Sequence, residues 1–193
     1  MKEQTYRTIS EAMRSSDFMA KYIIWFNRIV TGTVYLLYPA LLVLLLIRSG
    51  LLTGTEPLPQ DNCVEGYNAL PLDEGFIPAL LIPGISFVIL SIVRDRINSP
   101  RPYEVFDIPP IIDKKTARHS FPSRHIFCIF IIATTIFYYY PPVGILIGIT
   151  GAALALNRVL GGVHFVKDVV VGALAGIFCG VIGFYIILPL ITG

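Results

Sequence analysis

The sequence predicts an all-α polytopic transmembrane helix bundle of five spans, and its length also allows a sixth crossing. Three observations lead there. First, of 193 residues 54% are hydrophobic and only 15% charged, with a mean hydropathy of +0.70; soluble domains carry about 25% charge. Second, five apolar runs stand between polar segments, each near the ~20 residues that a membrane helix needs. Third, small residues recur every fourth position in the last two runs, the spacing that lets helix backbones approach closely. The net charge of +2, with no long basic tract, excludes nucleic acid as an expected partner.

The elements follow in order. Residues 1–21 form a polar N-terminal segment, expected as an interfacial helix with Tyr6, Ile9 and Met13 on one side. Residues 22–193 form a single transmembrane domain. Its first run, Tyr22–Ile47, carries Pro39 as a candidate kink. This run exceeds a signal h-region and lacks a small-residue cleavage site, so it is expected to be retained as a span. An acidic loop at 48–75 follows, with Glu56, Asp61, Glu65, Asp73 and Glu74, expected to be solvated. The second run, Phe76–Val93, contains Pro78 and Pro83, and a long basic loop occupies 94–121. The third and fourth runs, Pro122–Tyr140 and Pro142–Leu160, meet at Pro141–Pro142 and should form an antiparallel hairpin. Gly161–Gly162 links to the fifth run, Phe165–Ile191. Gly172, Gly176 and Gly180 mark one packing face, and Gly144, Gly148 and Ala152 another. The three cysteines make no disulfide framework and are expected as incidental thiols.

Ionisable side chains at membrane depth cost about 2.5–3.5 kcal/mol each near a helix centre, so their placement is informative. With five crossings, Arg94, Arg101, Arg124, His125, Arg158, His164 and Asp168 fall on one membrane face. Guanidinium groups match phosphate oxygens in fork geometry, and several together offset the charge of a phosphoryl-transfer transition state. His164 and Asp168 are four apart, so at the start of the fifth helix they are expected to share a face. The carboxylate can then fix the imidazole tautomer and free the other nitrogen to attack. His125 opens the third helix, whose N-terminal N–H groups make an anion site, and a second imidazole there can protonate a leaving oxygen. No H-x-x-x-H or paired-cysteine spacing indicates a metal site.

Three segments on this face are ordered "RDRINSPRP" (Arg94–Pro102), "PSRH" (Pro122–His125) and "NRVLGGVHFVKD" (Asn157–Asp168). Together they resemble the motifs of the type 2 phosphatidic acid phosphatase superfamily, the integral-membrane lipid phosphate phosphatases: K-x6-R-P, P-S-G-H and S-R-x5-H-x3-D. The departures are Arg94 for lysine, Arg124 for glycine and Asn157 for serine. The resemblance implies hydrolysis of a lipid phosphate or diphosphate, without metal or other cofactor. His164 would be the nucleophile that forms a phosphohistidine, Asp168 its orienting partner and His125 the general acid. Arg94, Arg101, Arg158 and Ser123 would hold the phosphate, with Arg124 expected to turn into the pocket toward a second phosphate. Candidate substrates are a polyprenyl diphosphate, phosphatidylglycerol phosphate or phosphatidic acid. A lipid phosphotransferase and a non-catalytic anion or lipid transporter are the competing readings. Tyr103, Glu104 and Asp107 are candidates to line the entrance. The basic residues Lys2, Arg7, Arg14 and Lys21 place the N-terminus, and by parity the site, in the cytoplasm. The resemblance instead implies an outward-facing site in a bacterial cell membrane.

Overall fold

The computed structural model describes residues 3–50, 74–112 and 117–192. The expectations for the acidic loop at 51–73, for Cys63 and for Lys114 and Lys115 lie outside the described residues. The elements are helices: α1 (Glu3–Arg14), α2 (Asp17–Arg48), α3 (Phe76–Ile97), α4 (Pro102–Val105), α5 (Arg124–Tyr139), α6 (Pro141–Leu160), α7 (Val166–Ile182), a π-helical turn (Gly183–Ile187) and α8 (Leu188–Thr192). Among the described residues, four segments are long and apolar enough to cross a membrane: Asp17–Arg48, Phe76–Val105, Pro141–Leu160 and Val166–Thr192. The third apolar run yields only the 16 residues of α5, a rise of about 24 Å. Its limits have local causes. Pro122 has no N–H and Ser123 becomes the N-cap, while Pro141 opens the next helix.

Hydropathy marks where a helix enters apolar surroundings, not where it begins. α2 therefore starts at Asp17, ahead of the apolar run. Ser16 caps it by accepting the Met19 N–H at 3.4 Å, and the Asp17 carboxylate pairs with Lys21 at 2.7 Å. Pro39 lies inside α2, and its missing N–H leaves the Tyr35 carbonyl without its helical partner.

α5 is the axis of the bundle, packed most extensively on α7 and α6. Its buried side chains include Ile126, Phe127, Ile129, Ile131, Ile132 and Ile136. The glycine stripe of α7 lies directly on it. A Cβ at Gly172 would sit 2.7 Å from the Ser123 carbonyl oxygen, and one at Gly176 would sit 2.7 Å from that of Phe127. On α6 the expected stripe is displaced. Gly148 has open space and Ala152 is exposed. The close approaches are at Gly144, 2.4 Å from Phe137 Cα, and at Gly151, 3.2 Å from Ile129. α6 thus meets α5 at a seven-residue interval. Leu36, Leu146, Phe178 and Leu190 are exposed on the outside of the bundle, the surface that hydrocarbon would cover.

The C-terminal ends of α3 and α6 and the N-terminal ends of α5 and α7 share one end of the bundle. At the opposite end the Arg48 Nη1 donates to the Tyr140 hydroxyl at 2.9 Å, and the Tyr139 hydroxyl to the Gly75 carbonyl at 2.8 Å. α1 sits at the first end, with the Tyr6 side turned onto the protein: Tyr6 is 2% exposed. Met13 packs against the buried cluster of Ile23, Ile112 and Val163.

Candidate active site

The site is assembled from four short segments at that end. α3 stops where Asn98 takes a left-handed conformation, φ 45°, and its N–H returns to the Arg94 carbonyl. The chain then reaches Arg101, which is 1% exposed; Arg94, one turn before the end of α3, is 7% exposed. Both guanidinium groups hold the loop that precedes α5. Arg101 donates from Nε to the Arg118 carbonyl at 2.9 Å and from Nη2 to that of His119 at 3.4 Å. Arg94 donates to the same His119 carbonyl. The Glu104 carboxylate accepts the backbone N–H of Arg101 at 2.8 Å and that of Arg118 at 2.9 Å. Glu104 is therefore an anchor for this loop rather than an entrance residue. Arg118 and His119 have φ 56° and 51°, left-handed values that side chains seldom adopt. His119 approaches Asp95 at 3.4 Å.

This strapping presents Ser120, which is fully buried. Its hydroxyl donates to Asp168 Oδ2 at 2.5 Å and lies 3.4 Å from His164 Nδ1. His164 Nδ1 is 3.6 Å from the same Asp168 oxygen, beyond direct hydrogen-bond length. The direct one-turn pairing expected of His164 and Asp168 needs correcting for a local reason. His164 precedes α7, whose N-cap is Phe165, and Asp168 at the third helical position takes the Phe165 N–H at 3.0 Å. The carboxylate is occupied as a helix cap, and Ser120 closes the gap to the imidazole. Both partners meet Nδ1, which leaves Nε2 for a substrate. His164 is 1% exposed. Burial, helped by the nearby Arg101 and Arg158 charges, pushes its pKa down from 6.5 to about 4, against the opposing pull of Asp168. At neutral pH the ring is therefore an uncharged nucleophile.

The other predicted residues surround this pair. Arg101 Nη1 donates to the Val163 carbonyl at 3.2 Å, next to His164. Arg158, 3% exposed, ends α6 with its Nε unpartnered. Ser123 is fully buried; its N–H donates to the Asp168 carbonyl at 2.9 Å, while its Oγ has no partner. An unpaired buried hydroxyl beside unpaired guanidinium nitrogen suits an oxyanion ligand. Arg94, Arg101 and Arg124 lie close enough for their charges to repel, as do Arg101 and Arg158. A bound dianion would relieve that repulsion. His125 is half-buried in the first turn of α5, where it lines a crevice with Thr31, Tyr35 and Leu154.

Two predicted residues stand apart. Arg124 is exposed, with its guanidinium 5.7 Å from the centre of the Phe87 ring on α3, so it sits at the rim. Asn157 turns away from the cluster and donates to the Ile23 carbonyl at 3.0 Å, tying α6 to α2. Ser120 and Glu104 were not legible as site residues, because their partners come from segments distant in sequence.

Comparisons agree with this arrangement. The PAP2 superfamily model matches residues 76–191. The fold is similar to Aquifex aeolicus LpxE, with a TM-score of 0.65 and 24% identity over 94% of this chain and 93% of that one. It is also similar to a PAP2-type phosphatidylglycerolphosphate phosphatase from Bacillus subtilis, with a TM-score of 0.50 and 20% identity over 97% and 92% of the two chains. In sequence, the chain is 30% identical over 105 residues to the bacitracin transport permease protein BcrC of Bacillus licheniformis, a match that spans 52% of each protein. The family match covers all three motif segments and every residue of the buried cluster, and the chain therefore belongs to the PAP2 superfamily.

Proposed function

We propose that this chain is a membrane phosphatase that hydrolyses a lipid phosphate or diphosphate through a phosphohistidine on His164. The observation that carries the reading is the buried triad of His164, Asp168 and Ser120 among the guanidinium groups of Arg94, Arg101 and Arg158. A binding or transport site needs the cations, but it has no use for a neutral imidazole held at one nitrogen by a carboxylate and a hydroxyl.

The substrate phosphate would bind to Arg94, Arg101, Arg158, the Ser123 hydroxyl and the N–H groups that open α5. His164 Nε2 attacks phosphorus. Its Nδ1 proton stays hydrogen-bonded to the Ser120–Asp168 pair, which stabilises the ring as positive charge develops. The P–O bond to the leaving group breaks, and His125 gives that oxygen its proton. A water then enters where the leaving group was and loses a proton to His125. Its oxygen forms the new P–O bond, and the N–P electron pair returns to Nε2. Products are inorganic phosphate and a lipid alcohol, or a lipid monophosphate from a diphosphate. The guanidinium groups supply the charge stabilisation that a metal supplies elsewhere.

A lipid substrate is favoured because the site lies at one end of a bundle of apolar helices, where headgroups would sit. Polyprenyl diphosphate, phosphatidylglycerol phosphate and phosphatidic acid are the classes proposed, in a bacterial cell membrane. The test is inorganic phosphate release from these three lipids in mixed micelles by purified protein. Release from at least one, lost in His164→Ala at unchanged thermal stability, supports the reading. Binding without release from any of them refutes it.

A further inference from the structure

α1 lies outside the family match, which begins at residue 76, yet it reaches the turn that carries His164. The Tyr6 hydroxyl donates to the Gly162 carbonyl at 3.1 Å across 156 residues of sequence. Gly162 has φ +76°, and a Cβ there would lie 2.4 Å from the Tyr6 oxygen. Only glycine fits, both for its backbone and for this contact. The Tyr6 ring packs on Phe106, with centroids 5.2 Å apart, and Phe106 meets Phe165 edge-on at 5.9 Å. Residues 162 and 165 bracket His164, so one side chain touches the nucleophile turn directly on one flank and through a second ring on the other. Arg14, at the far end of α1, donates to the Pro109 carbonyl. That loop is in turn tied to the Gly161 carbonyl by the Ile111 N–H at 3.0 Å.

The turn needs such a fastening. Gly161 and Gly162 leave the backbone ahead of His164 with wide conformational freedom, while in-line attack tolerates little displacement: about 1 Å can cost ~100-fold in rate. Burial raises the Tyr6 pKa above its ordinary value, so the phenol remains a donor throughout the neutral range.

We propose that Tyr6 is a positioning residue for the phosphoryl-transfer site, holding the His164 turn through the Gly162 carbonyl and through the Phe106–Phe165 ring pair. This rests on the reading of His164 as nucleophile. Because Tyr6 touches no substrate group, its loss should appear in turnover and not in substrate binding.

The experiment compares the parent with Tyr6→Phe, which keeps the ring and removes one hydrogen bond, and with Phe106→Leu, which breaks the ring chain without touching α1. For each, kcat and KM are measured on a lipid phosphate that the parent hydrolyses, with single-turnover phosphohistidine formation and the thermal midpoint. The expected result for Tyr6→Phe is kcat lowered about three- to tenfold. KM should stay within about twofold and the midpoint within a few degrees. Phe106→Leu should show the same kcat-only pattern. Parental turnover in both variants, with only the midpoint changed, overturns the proposal and makes α1 a packing element. A parent that turns over without phosphohistidine counts against the nucleophile reading alone, since steady-state kcat still decides the part played by Tyr6.

Discussion

Replacing Ser120 by alanine probes the link that joins His164 to Asp168. The hydroxyl spans a gap of 3.6 Å between the ring nitrogen and the carboxylate, with a 2.5 Å bond to Oδ2. Without it, Oδ2 retains only the Phe165 N–H at 3.0 Å, and Oδ1 already lacks a partner. A hydrogen bond to a charged group is worth about 1.5–3 kcal/mol. If most of that is felt as positive charge develops on the imidazole, kcat should fall by roughly 10- to 150-fold. KM should change far less, because the arginines that bind phosphate are untouched. The assay is initial-rate phosphate release in mixed micelles by parent, Ser120→Ala and Ser120→Thr, with thermal midpoints measured in parallel. Ser120→Thr keeps the hydroxyl and should recover part of the loss. A Ser120→Ala variant within twofold of the parent would show that the carboxylate acts on His164 without a relay.

Other outcomes follow from the same geometry. Arg101→Ala, which leaves the Val163, Arg118 and His119 carbonyls short of a buried partner, should lose both stability and activity. Arg124→Ala, at the exposed rim over Phe87, should stay within about fivefold of parental kcat/KM on a monophosphate, about 1 kcal/mol; paired kinetics check both. His164 ordinarily titrates near 6.5 but is held near 4 in the fold, so the folded state binds fewer protons than the unfolded between those values. Its contribution is therefore fully present above pH 6.5 and lost as pH falls toward 4, on the order of 3 kcal/mol. A comparison of the thermal midpoint at pH 7 and pH 5 should show the parent losing more than His164→Gln. Gly176→Ala places a Cβ 2.7 Å from the Phe127 carbonyl and should lower the midpoint, whereas Gly148→Ala, with open space around it, should not.

The bundle was legible because burial in lipid leaves a compositional mark: each apolar run became a helix. The small-residue rule read α7 correctly, since its glycines contact the α5 backbone in succession. It misplaced the α6 face, because spacing alone does not say which of Gly144, Gly148 and Gly151 meets a neighbour. The helix start at Asp17 was hidden because capping is a local polar event that hydropathy ignores. In the site, His164, Asp168, His125 and the arginines stood out as costly charges in an apolar chain. Ser120 carried no such cost, and serine is common in loops, so nothing in its spacing pointed to Asp168, 48 residues away. Asn157 illustrates the reverse: its motif position suggested phosphate, but its amide bonds α2. Tyr6 lay on an amphipathic helix whose apolar side fitted a membrane surface equally well, and only the fold shows that side turned onto Gly162.

The central claim is that phosphate passes through His164. Its most direct test is rapid quench of the enzyme with a lipid substrate labelled at the terminal phosphate, followed by alkaline peptide mapping. The account predicts an acid-labile, alkali-stable phosphoryl group on the peptide containing His164, formed and lost at rates consistent with turnover and increased when His125→Ala slows hydrolysis. Full turnover in His164→Ala, or label trapped reproducibly on another side chain, would contradict it.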